Sequence, residues 1–206
     1  MGEMFYAKGV SRDKLDGGGR EAFKLPPAAG EVCFGAQMAT NVVREGVEAS
    51  VLASQAGARF VDVNCGCPIY EAKVKGLGVR LLKSRKKLAQ LVGAVAQRVP
   101  VPVTVKVRLA ELDEEVSEER IVALVQRLAG AGAAAVTIHG RSGEQRYSRA
   151  ADWGLIAAAA EQCPEVPVVG NGDVLTHWEA ERRLRDTGVA AVMAGRGAPL
   201  PPRAFR

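Results

Sequence analysis

The sequence holds few of the residues that build metal centres and disulfide frameworks. Its 206 residues include two histidines and four cysteines, and the cysteines at positions 33, 65, 67 and 163 form no Cys-x-x-Cys pair. Zinc sites commonly combine such pairs, and small secreted domains rely on many paired cysteines. The sequence therefore predicts no metal site and no disulfide framework, and it favours a reducing compartment, the cytoplasm or the nucleus.

Long apolar runs and aromatic residues are scarce as well. No apolar run reaches about 18 residues, so no membrane-spanning helix is predicted, and no basic and apolar leader opens the chain. Aromatic residues make up 5% of the chain and apolar residues 48%, which is enough for a sizeable core. The net charge of +5 is compatible with an anionic partner, a nucleic acid or a phosphorylated cofactor, but is too small to demonstrate one.

What the chain does contain, from residue 32 onward, is an alternation of short apolar runs with amphipathic stretches of helical period. The amphipathic stretches predict helices near residues 42–56, 78–98, 117–130, 152–162 and 177–187. The predicted strands are Val32–Met38, Phe60–Asn64, Val101–Leu109, Ala134–Gly140, Pro167–Asp173 and Ala190–Gly197. Such an alternation indicates an α/β protein with a parallel sheet, either doubly wound or a (β/α)8 barrel.

Polar residues late in the predicted strands favour the barrel. Lys106 and Arg108 lie two positions apart at the end of one strand, and His139 and Arg141 do so at the end of the next. Alternate residues of a strand face the same side, so each pair points into one interior. Polar groups from several consecutive strand ends are typical of the top of a TIM barrel. We therefore predict a partial TIM barrel with about six clear βα units.

The run from Val61 to Pro68 ends in a loop that carries a thiol. Val61 and Val63 are predicted to be buried on one face of the strand, and Cys67 follows between Gly66 and Pro68. A thiol in such a loop is able to act as a nucleophile, a metal ligand or a proton donor, although a free cysteine is often only a small buried hydrophobe. The neighbouring Cys65 is predicted to be structural.

Two late strands end in glycine-rich turns, Val169–Asp173 and Ala194–Ala198. Glycines let backbone N–H groups approach an oxyanion, and the last two loops of a barrel frequently hold a phosphate. The alternative is an ordinary strand-to-helix turn. A buried Lys106 needs an anion or an acceptor, which a flavin's pyrimidine edge or a nearby carboxylate would supply. His139 is either a site residue or a structural histidine.

Two basic segments bear on RNA binding. The loop Arg141–Arg149 combines three arginines with a glutamine and a tyrosine, a set able to grip RNA and to stack on a base. The cluster Lys83–Lys87 is predicted to be a solvated helix start, with a contact to a phosphate backbone as the alternative.

Together these motifs resemble the tRNA-dihydrouridine synthase family, and most closely its eukaryotic tRNA-dihydrouridine(47) synthase branch. The resemblance extends from about Phe34 to Arg196. The segments that carry it are residues 60–69, 75–78, 103–108, 137–142, 144–147, 151–153 and 170–173.

The resemblance implies an FMN-dependent oxidoreductase that reduces a uridine of tRNA to 5,6-dihydrouridine, with NADPH as the reductant. It implies that Cys67 is the general acid that protonates C5 of the base while C6 receives hydride. The residues that match FMN contacts are Gln37, Lys106, His139, Asn171, Gly172, Asp173, Gly195 and Arg196. The residues that match substrate contacts are Asn64, Arg108, Arg141 and Gln145.

Both ends of the chain depart from the family. The first barrel strand and the C-terminal helical domain have no counterpart, so we expect a truncated barrel of uncertain activity. The predicted divisions are an irregular segment, residues 1–30, with a remnant of strand two, and an incomplete FMN-binding barrel, residues 31–206. Two alternatives stay open: a flavin barrel that dehydrogenates a small molecule, and an inactive barrel that only binds RNA.

Overall fold

Seven parallel strands form one sheet, in the order in which they occur along the chain. The computed structural model describes residues 4–10, 33–111, 115–145 and 147–196. The strands are β1 (Phe5–Tyr6), β2 (Gly35–Ala39), β3 (Phe60–Cys65), β4 (Val103–Arg108), β5 (Ala135–His139), β6 (Val168–Asn171) and β7 (Ala191–Met193). A doubly wound sheet reverses its strand order at a switch point, whereas a barrel does not. The strand order therefore confirms the predicted partial TIM barrel.

Helices follow the strands from β2 onward. They are α1 (Val43–Gln55), α2 (Tyr70–Val74), a 3-10 helix (Gly78–Ser84), α3 (Arg85–Ala96), α4 (Glu118–Gly130), α5 (Trp153–Gln162) and α6 (His177–Thr187). The six predicted strands and the five predicted helices are confirmed, although the last strand, predicted over Ala190–Gly197, extends only over Ala191–Met193. The predicted strand ends at Val32 and Gly197 lie outside the described residues. The helix predicted at 78–98 is divided into the 3-10 helix and α3, and α2 was not predicted.

β1 is a seventh strand where six clear βα units were predicted. It pairs with β2, with Phe5 opposite Met38 and Tyr6 opposite Ala39. It lies in the segment where a remnant of a strand was expected. The division of the chain at residues 30 and 31 stays a prediction, since residues 11–32 lie outside the described residues.

The core lies between the sheet and its helices. Val61 and Val63 are fully buried on the helix side of β3, as the alternation of the sequence predicts. They belong to one cluster with Leu88 of α3 and Leu128 of α4, both also fully buried. The opposite face of the strands points into the barrel, and on β2 to β6 it carries polar side chains toward the carboxyl ends.

Strand register places these polar side chains in layers. Gln37, Asp62 and Thr104 are neighbours across β2, β3 and β4. One layer higher, Asn64 lies opposite Lys106. Nearest the carboxyl ends, Arg108, His139 and Asn171 are neighbours across β4, β5 and β6. The parallel register thus gathers side chains from distant parts of the sequence above one barrel interior.

Candidate active site

A cavity of about 270 Å³ lies at the carboxyl ends of β2 to β7. Most of the residues predicted to form a site line it. They are Gln37, Asn64, Cys67, Lys106, Arg108, His139, Asn171, Gly172, Asp173, Gly195 and Arg196. The predicted residues that do not line it are Arg141 and Gln145. A second cavity of about 450 Å³, near Tyr6, Asn41 and Lys75, has no thiol or imidazole in its wall.

The loop that carries Cys67 is held from several sides. The side-chain oxygen of Asn64 accepts the backbone N–H groups of Gly66, at 3.2 Å, and of Cys67, at 3.0 Å. Nε of Arg108 donates to the carbonyl of Gly66 at 2.8 Å, and the N–H of Val79 donates to the carbonyl of Cys67 at 3.1 Å. With its backbone satisfied in this way, the loop presents the half-buried Cys67 to the cavity.

Glycine is required where the 3-10 helix meets this loop. Gly78 has a φ of +59°, and a Cβ there would lie 2.4 Å from the carbonyl oxygen of Cys67. Any other residue would both strain the backbone and push the loop away. The motif Lys75–Gly78 therefore serves to hold the thiol loop.

Lys106 is a basic group within the polar interior. Its Nζ donates to Oδ1 of Asn171 at 3.0 Å. Burial lowers the pKa of Lys106 to about 8, although the charge of Asp62 acts in the opposite direction. Because the ammonium group of Lys106 is largely shielded from water, a bound anion or an electron-rich acceptor beside it would stabilise its charged form.

His139 is held in its neutral form. Burial, together with the charges of Arg108, Lys106 and Arg141, lowers the pKa of His139 to about 3. Nη1 of Arg141 lies 3.2 Å from Nε2 of His139. An arginine only donates, so Nε2 is the acceptor and the ring proton is on Nδ1. The imidazole thus offers an N–H donor near neutral pH.

The depressed pKa of His139 predicts a pH dependence of stability. The unfolded chain protonates this histidine below its ordinary pKa of 6.5, and the folded chain only near 3. Its contribution is therefore present above pH 6.5 and is lost as the pH falls below that value. We expect His139→Gln, which keeps an acceptor for Arg141, to shrink the difference in unfolding free energy between pH 7 and pH 5 by about 2 kcal/mol.

Urea unfolding of the two proteins at both pH values measures this difference. The carboxylates and His177 are common to both proteins, so their contributions cancel in the comparison. If wild type and His139→Gln lost the same unfolding free energy between pH 7 and pH 5, His139 would have to be protonated in the folded protein at pH 5, which contradicts its depressed pKa.

Arg141 lies behind the cavity wall, where its Nε, Nη1 and Nη2 atoms each have a hydrogen-bond partner within the protein. Nη2 is 2.7 Å from each carboxylate oxygen of Asp173, and Nε donates to the carbonyl of Arg149 at 2.6 Å. The side chain is only 4% exposed. The structure therefore gives Arg141 internal partners, and its predicted contact with substrate stays a prediction.

Asp173 joins two arginines at the rim of the cavity. Nη2 of Arg196 lies 3.0 Å from Oδ1 of Asp173. Burial acts to raise the pKa of Asp173, but hydrogen bonds from Arg141 and from the N–H of Ala151 hold it below its ordinary value. The Arg196 guanidinium also lies 4.4 Å above the exposed ring of Tyr147. This arrangement keeps a cation at the open edge of the cavity.

The glycine-rich turn after β6 is shaped by close packing. Gly172 has a φ of +125°, and a Cβ there would lie 2.6 Å from Cβ of Ala151. Its carbonyl accepts from Nε1 of the buried Trp153 at 3.0 Å. At Gly195, in contrast, a Cβ would meet no atom of the described residues within 4 Å. Within the described part of the chain, the turn at Gly195 and Arg196 is thus the less crowded of the two.

The helix that follows β6 already has an internal cap. Thr176 and Glu179 form a capping box at the start of α6, so part of the helix N-terminus is satisfied by the chain itself. This leaves Arg196 and the turn at Gly195 as the more available anion-binding groups near the cavity.

Gln145 organises the loop that follows β5. Its Oε1 accepts the N–H of Ser142 at 3.0 Å, and its own N–H donates to Oγ of Ser142 at 3.2 Å. It therefore closes the turn from which Tyr147 reaches the cavity rim. Its predicted contact with substrate stays a prediction, and Arg146 lies outside the described residues.

Asp62 is a site residue that the motifs did not point to. It is 1% exposed in the barrel interior and accepts hydrogen bonds from Gln37 and Thr104. Burial raises the pKa of Asp62, while those two bonds and the charge of Lys106 act against the rise. The signal that would have found it is strand alternation, because Asp62 shares the inward face of β3 with Asn64.

Two kinds of feature are absent from the described residues. Among residues 4–10, 33–111, 115–145 and 147–196, no three His, Cys, Asp or Glu side chains are grouped so as to hold a metal ion. Within the same ranges, no helix has the length and the apolar character that crossing a bilayer requires.

Comparison with known proteins gives consistent matches. A family model described as dihydrouridine synthase matches residues 23–206. A Xenopus tropicalis protein named tRNA-dihydrouridine(47) synthase NAD(P)(+)-like is 41% identical over 148 residues, which are 71% of this chain and 22% of that protein. The human protein of that name is 39% identical over 157 residues, 76% of this chain and 24% of its own length.

A fungal relative matches over a longer stretch. The Aspergillus fumigatus protein named tRNA-dihydrouridine(47) synthase NAD(P)(+) is 32% identical over 209 aligned residues, which cover 84% of this chain and 29% of the relative. The chain thus spans about a quarter of the length of the curated relatives it matches.

Proposed function

Because the chain belongs to the dihydrouridine synthase family, we propose that it reduces a uridine of tRNA to 5,6-dihydrouridine, using FMN and NADPH. The observation that carries the proposal is the cavity itself. It brings the thiol of Cys67 together with the ammonium of Lys106 and the neutral imidazole of His139. The names of the relatives, tRNA-dihydrouridine(47) synthases that use NAD(P), support it. The proposed location is the cytoplasm or the nucleus.

The residues around the cavity fit FMN in their chemistry. An isoalloxazine ring presents an edge of hydrogen-bond acceptors, and the cofactor ends in a phosphate. The cavity wall includes N–H donors on Gln37, Lys106 and His139, which we propose hold the ring. Arg196 and the turn at Gly195 would bind the phosphate. Asn171, Gly172 and Asp173 would form the wall of the cavity at this phosphate end. Asp173 there fixes the position of Arg196 through a hydrogen bond.

Bound FMN, once reduced by NADPH, would supply the hydride that adds to C6 of the uracil ring. The protein would supply the proton. Charge that develops toward C5 is neutralised when the thiol of Cys67 donates its proton there. The loop contacts from Asn64 and Arg108 hold that thiol in place, and the thiolate regains its proton from solvent.

The tRNA must present its uridine outside the base stack to reach this depth. We propose that Asn64 and Arg108 lie beside the uracil ring, since both line the cavity. Arg141 and Gln145 would hold the loop after β5 in the conformation in which its residues contact the RNA. Tyr147, 61% exposed at the rim, offers a surface on which a neighbouring base stacks.

The proposal predicts a yellow protein that modifies tRNA. Purified with FMN and incubated with NADPH and an unmodified tRNA transcript, the chain is expected to add two hydrogens to one uridine. Nucleoside mass spectrometry measures the product, and flavin absorbance measures cofactor binding. A parallel reaction without NADPH is the control.

Two other outcomes would select the alternatives. Reduction of a free pyrimidine at the same rate, with no need for tRNA, would make the chain a small-molecule flavin enzyme. A folded, colourless protein that binds tRNA without changing it would make it an RNA-binding barrel.

A further inference from the structure

The indole of Trp153 holds the glycine-rich turn after β6 from behind. Its Nε1 donates to the carbonyl of Gly172 at 3.0 Å, and its ring fills the space beside Gly170, where a Cβ would lie 2.3 Å from it. Trp153 is 4% exposed and begins α5. Its side chain lies outside the cavity wall, so any effect of Trp153 on the cavity is transmitted by the turn.

This hydrogen bond sets the direction of the peptide between Gly172 and Asp173. Asn171 lines the cavity, so the alternate residue Gly170 faces the helices, and the Trp153 ring beside it lies on that side of the sheet. The carbonyl of Gly172 therefore points away from the cavity. A trans peptide directs its carbonyl and its N–H in opposite directions, and the described residues contain no cis peptide bond. The N–H of Asp173 thus points toward the cavity, which Gly172 and Asp173 both line.

The direction of this peptide requires an unfavourable backbone conformation at Asp173. Asp173 has a φ of +51° and is the only described non-glycine residue with a positive φ. The left-handed region is unfavourable for a residue with a Cβ, although Asp enters it more readily than most. Arg141 and Arg196 bind the carboxylate of Asp173. Trp153, in contrast, bonds to the peptide itself.

We propose that Trp153 is the positioning residue of the turn at Gly172 and Asp173. Its indole N–H holds the peptide so that the N–H of Asp173 faces the cavity and is offered to the phosphate of the cofactor. The described residues hold no acceptor for this N–H, and an oxyanion is a partner that it suits. The consequence for the cofactor rests on the proposed function, whereas the hold on the turn belongs to the free protein.

Loss of the indole N–H would reverse the peptide, and two changes favour the reversal. The carbonyl of Gly172 would otherwise stay buried without a donor, and Asp173 would leave the left-handed region for an ordinary negative φ. No hydrogen bond to a described residue opposes the rotation, and glycine at position 172 accepts the change in its own dihedral. The N–H of Asp173 would then face the aromatic ring, to which it donates weakly, and would be lost to a phosphate.

The first measurement is made on the turn of the protein without cofactor. Trp153→Phe removes the N–H with a smaller ring, and replacement of Trp153 by benzothienylalanine puts a sulfur atom in place of the N–H with nearly the same shape. Trp178→Phe, at the exposed second tryptophan, confines the analogue to one position. In both variants we expect the backbone carbon chemical shifts of Asp173, measured by NMR, to change from the left-handed to the ordinary range.

The second measurement compares two ligands that differ by the phosphate. FMN and riboflavin share the isoalloxazine ring, so a loss confined to the phosphate end affects FMN alone. We expect the Kd of FMN, measured by flavin fluorescence, to rise about tenfold in both variants, as the loss of one hydrogen bond to a charged group implies. The Kd of riboflavin should stay near its wild-type value, whereas a general loss of structure would weaken both ligands alike.

Leu128→Ala is the matched control for stability. Leu128 is fully buried on α4, and its truncation leaves a cavity in the core without touching the turn. It should lower the unfolding free energy at least as much as Trp153→Phe. The carbon shifts of Asp173 and the ratio of the two Kd values should nevertheless stay as in wild type.

Three results would overturn the proposal. They are wild-type carbon shifts of Asp173 in both variants, an equal weakening of FMN and riboflavin binding, and the same changes in Leu128→Ala. If Trp153→Phe does not fold, the benzothienylalanine protein, which keeps the packing of the ring, decides the question. A wild-type chain that binds FMN no more tightly than riboflavin, or that forms no dihydrouridine, would refute the proposed function. The carbon shifts would still decide whether Trp153 holds the turn.

Discussion

Cys67→Ala is expected to slow dihydrouridine formation by at least about 100-fold while FMN remains bound, since a positioned proton donor contributes roughly that much or more. The thiol lines the cavity. Its removal leaves the four hydrogen bonds that hold the loop in place, because they are made by backbone atoms of Gly66 and Cys67. Single-turnover reaction of the reduced protein with tRNA measures the step, and flavin absorbance verifies the cofactor.

Cys65→Ala is the matched control, because it removes a thiol two residues away. Cys65 is fully buried on the helix side of β3, so its loss leaves a small void and lowers stability without changing the cavity. Turnover by Cys67→Ala at the Cys65→Ala rate would show that the proton comes from another group.

Arg141→Met is expected to lower the unfolding free energy by about 3 kcal/mol, the lower part of the range for removing one partner of a buried ion pair. The lower part applies because Asp173 is 31% exposed and so regains some solvation. The loss follows from the two short contacts to Asp173 and from the bond to the carbonyl of Arg149. Urea denaturation of the protein without ligands measures it.

Arg149→Met is the control for Arg141→Met, since Arg149 lies in the same loop with an exposed side chain. It should change stability by less than about 0.5 kcal/mol. If Arg141 instead serves only to contact tRNA, Arg141→Met will be as stable as Arg149→Met, and only binding of tRNA will suffer.

Much of the fold was predictable from periodicity. Apolar runs separated by amphipathic stretches located six of the seven strands, because burial on one or both faces leaves a period in the sequence that does not depend on other segments. β1 was not located, since two residues, Phe5 and Tyr6, are too few to carry a period. The short helix α2 escaped for the same reason.

The site was predictable in part. Strand parity and the family motifs identified Cys67, Lys106 and His139, all of which line the cavity. The partners of Arg141 were not predictable, because Asp173 lies 32 residues away in sequence. Nor did any local pattern indicate that the side-chain oxygen of Asn64 accepts a hydrogen bond from the loop while its NH2 group donates to Gln37.

The α/β alternation, the inward face of each strand and the resemblance to the family can be derived from the sequence alone, because each depends on the order and type of nearby residues. Which polar groups contact one another depends instead on the packing of the strands. Parallel register brings Gln37, Asp62 and Asn64 together from separate strands, and burial then forces each donor to find an acceptor. The hydrogen bonds that pair the buried polar groups of the barrel interior thus also hold the loop that presents the thiol of Cys67 to the cavity.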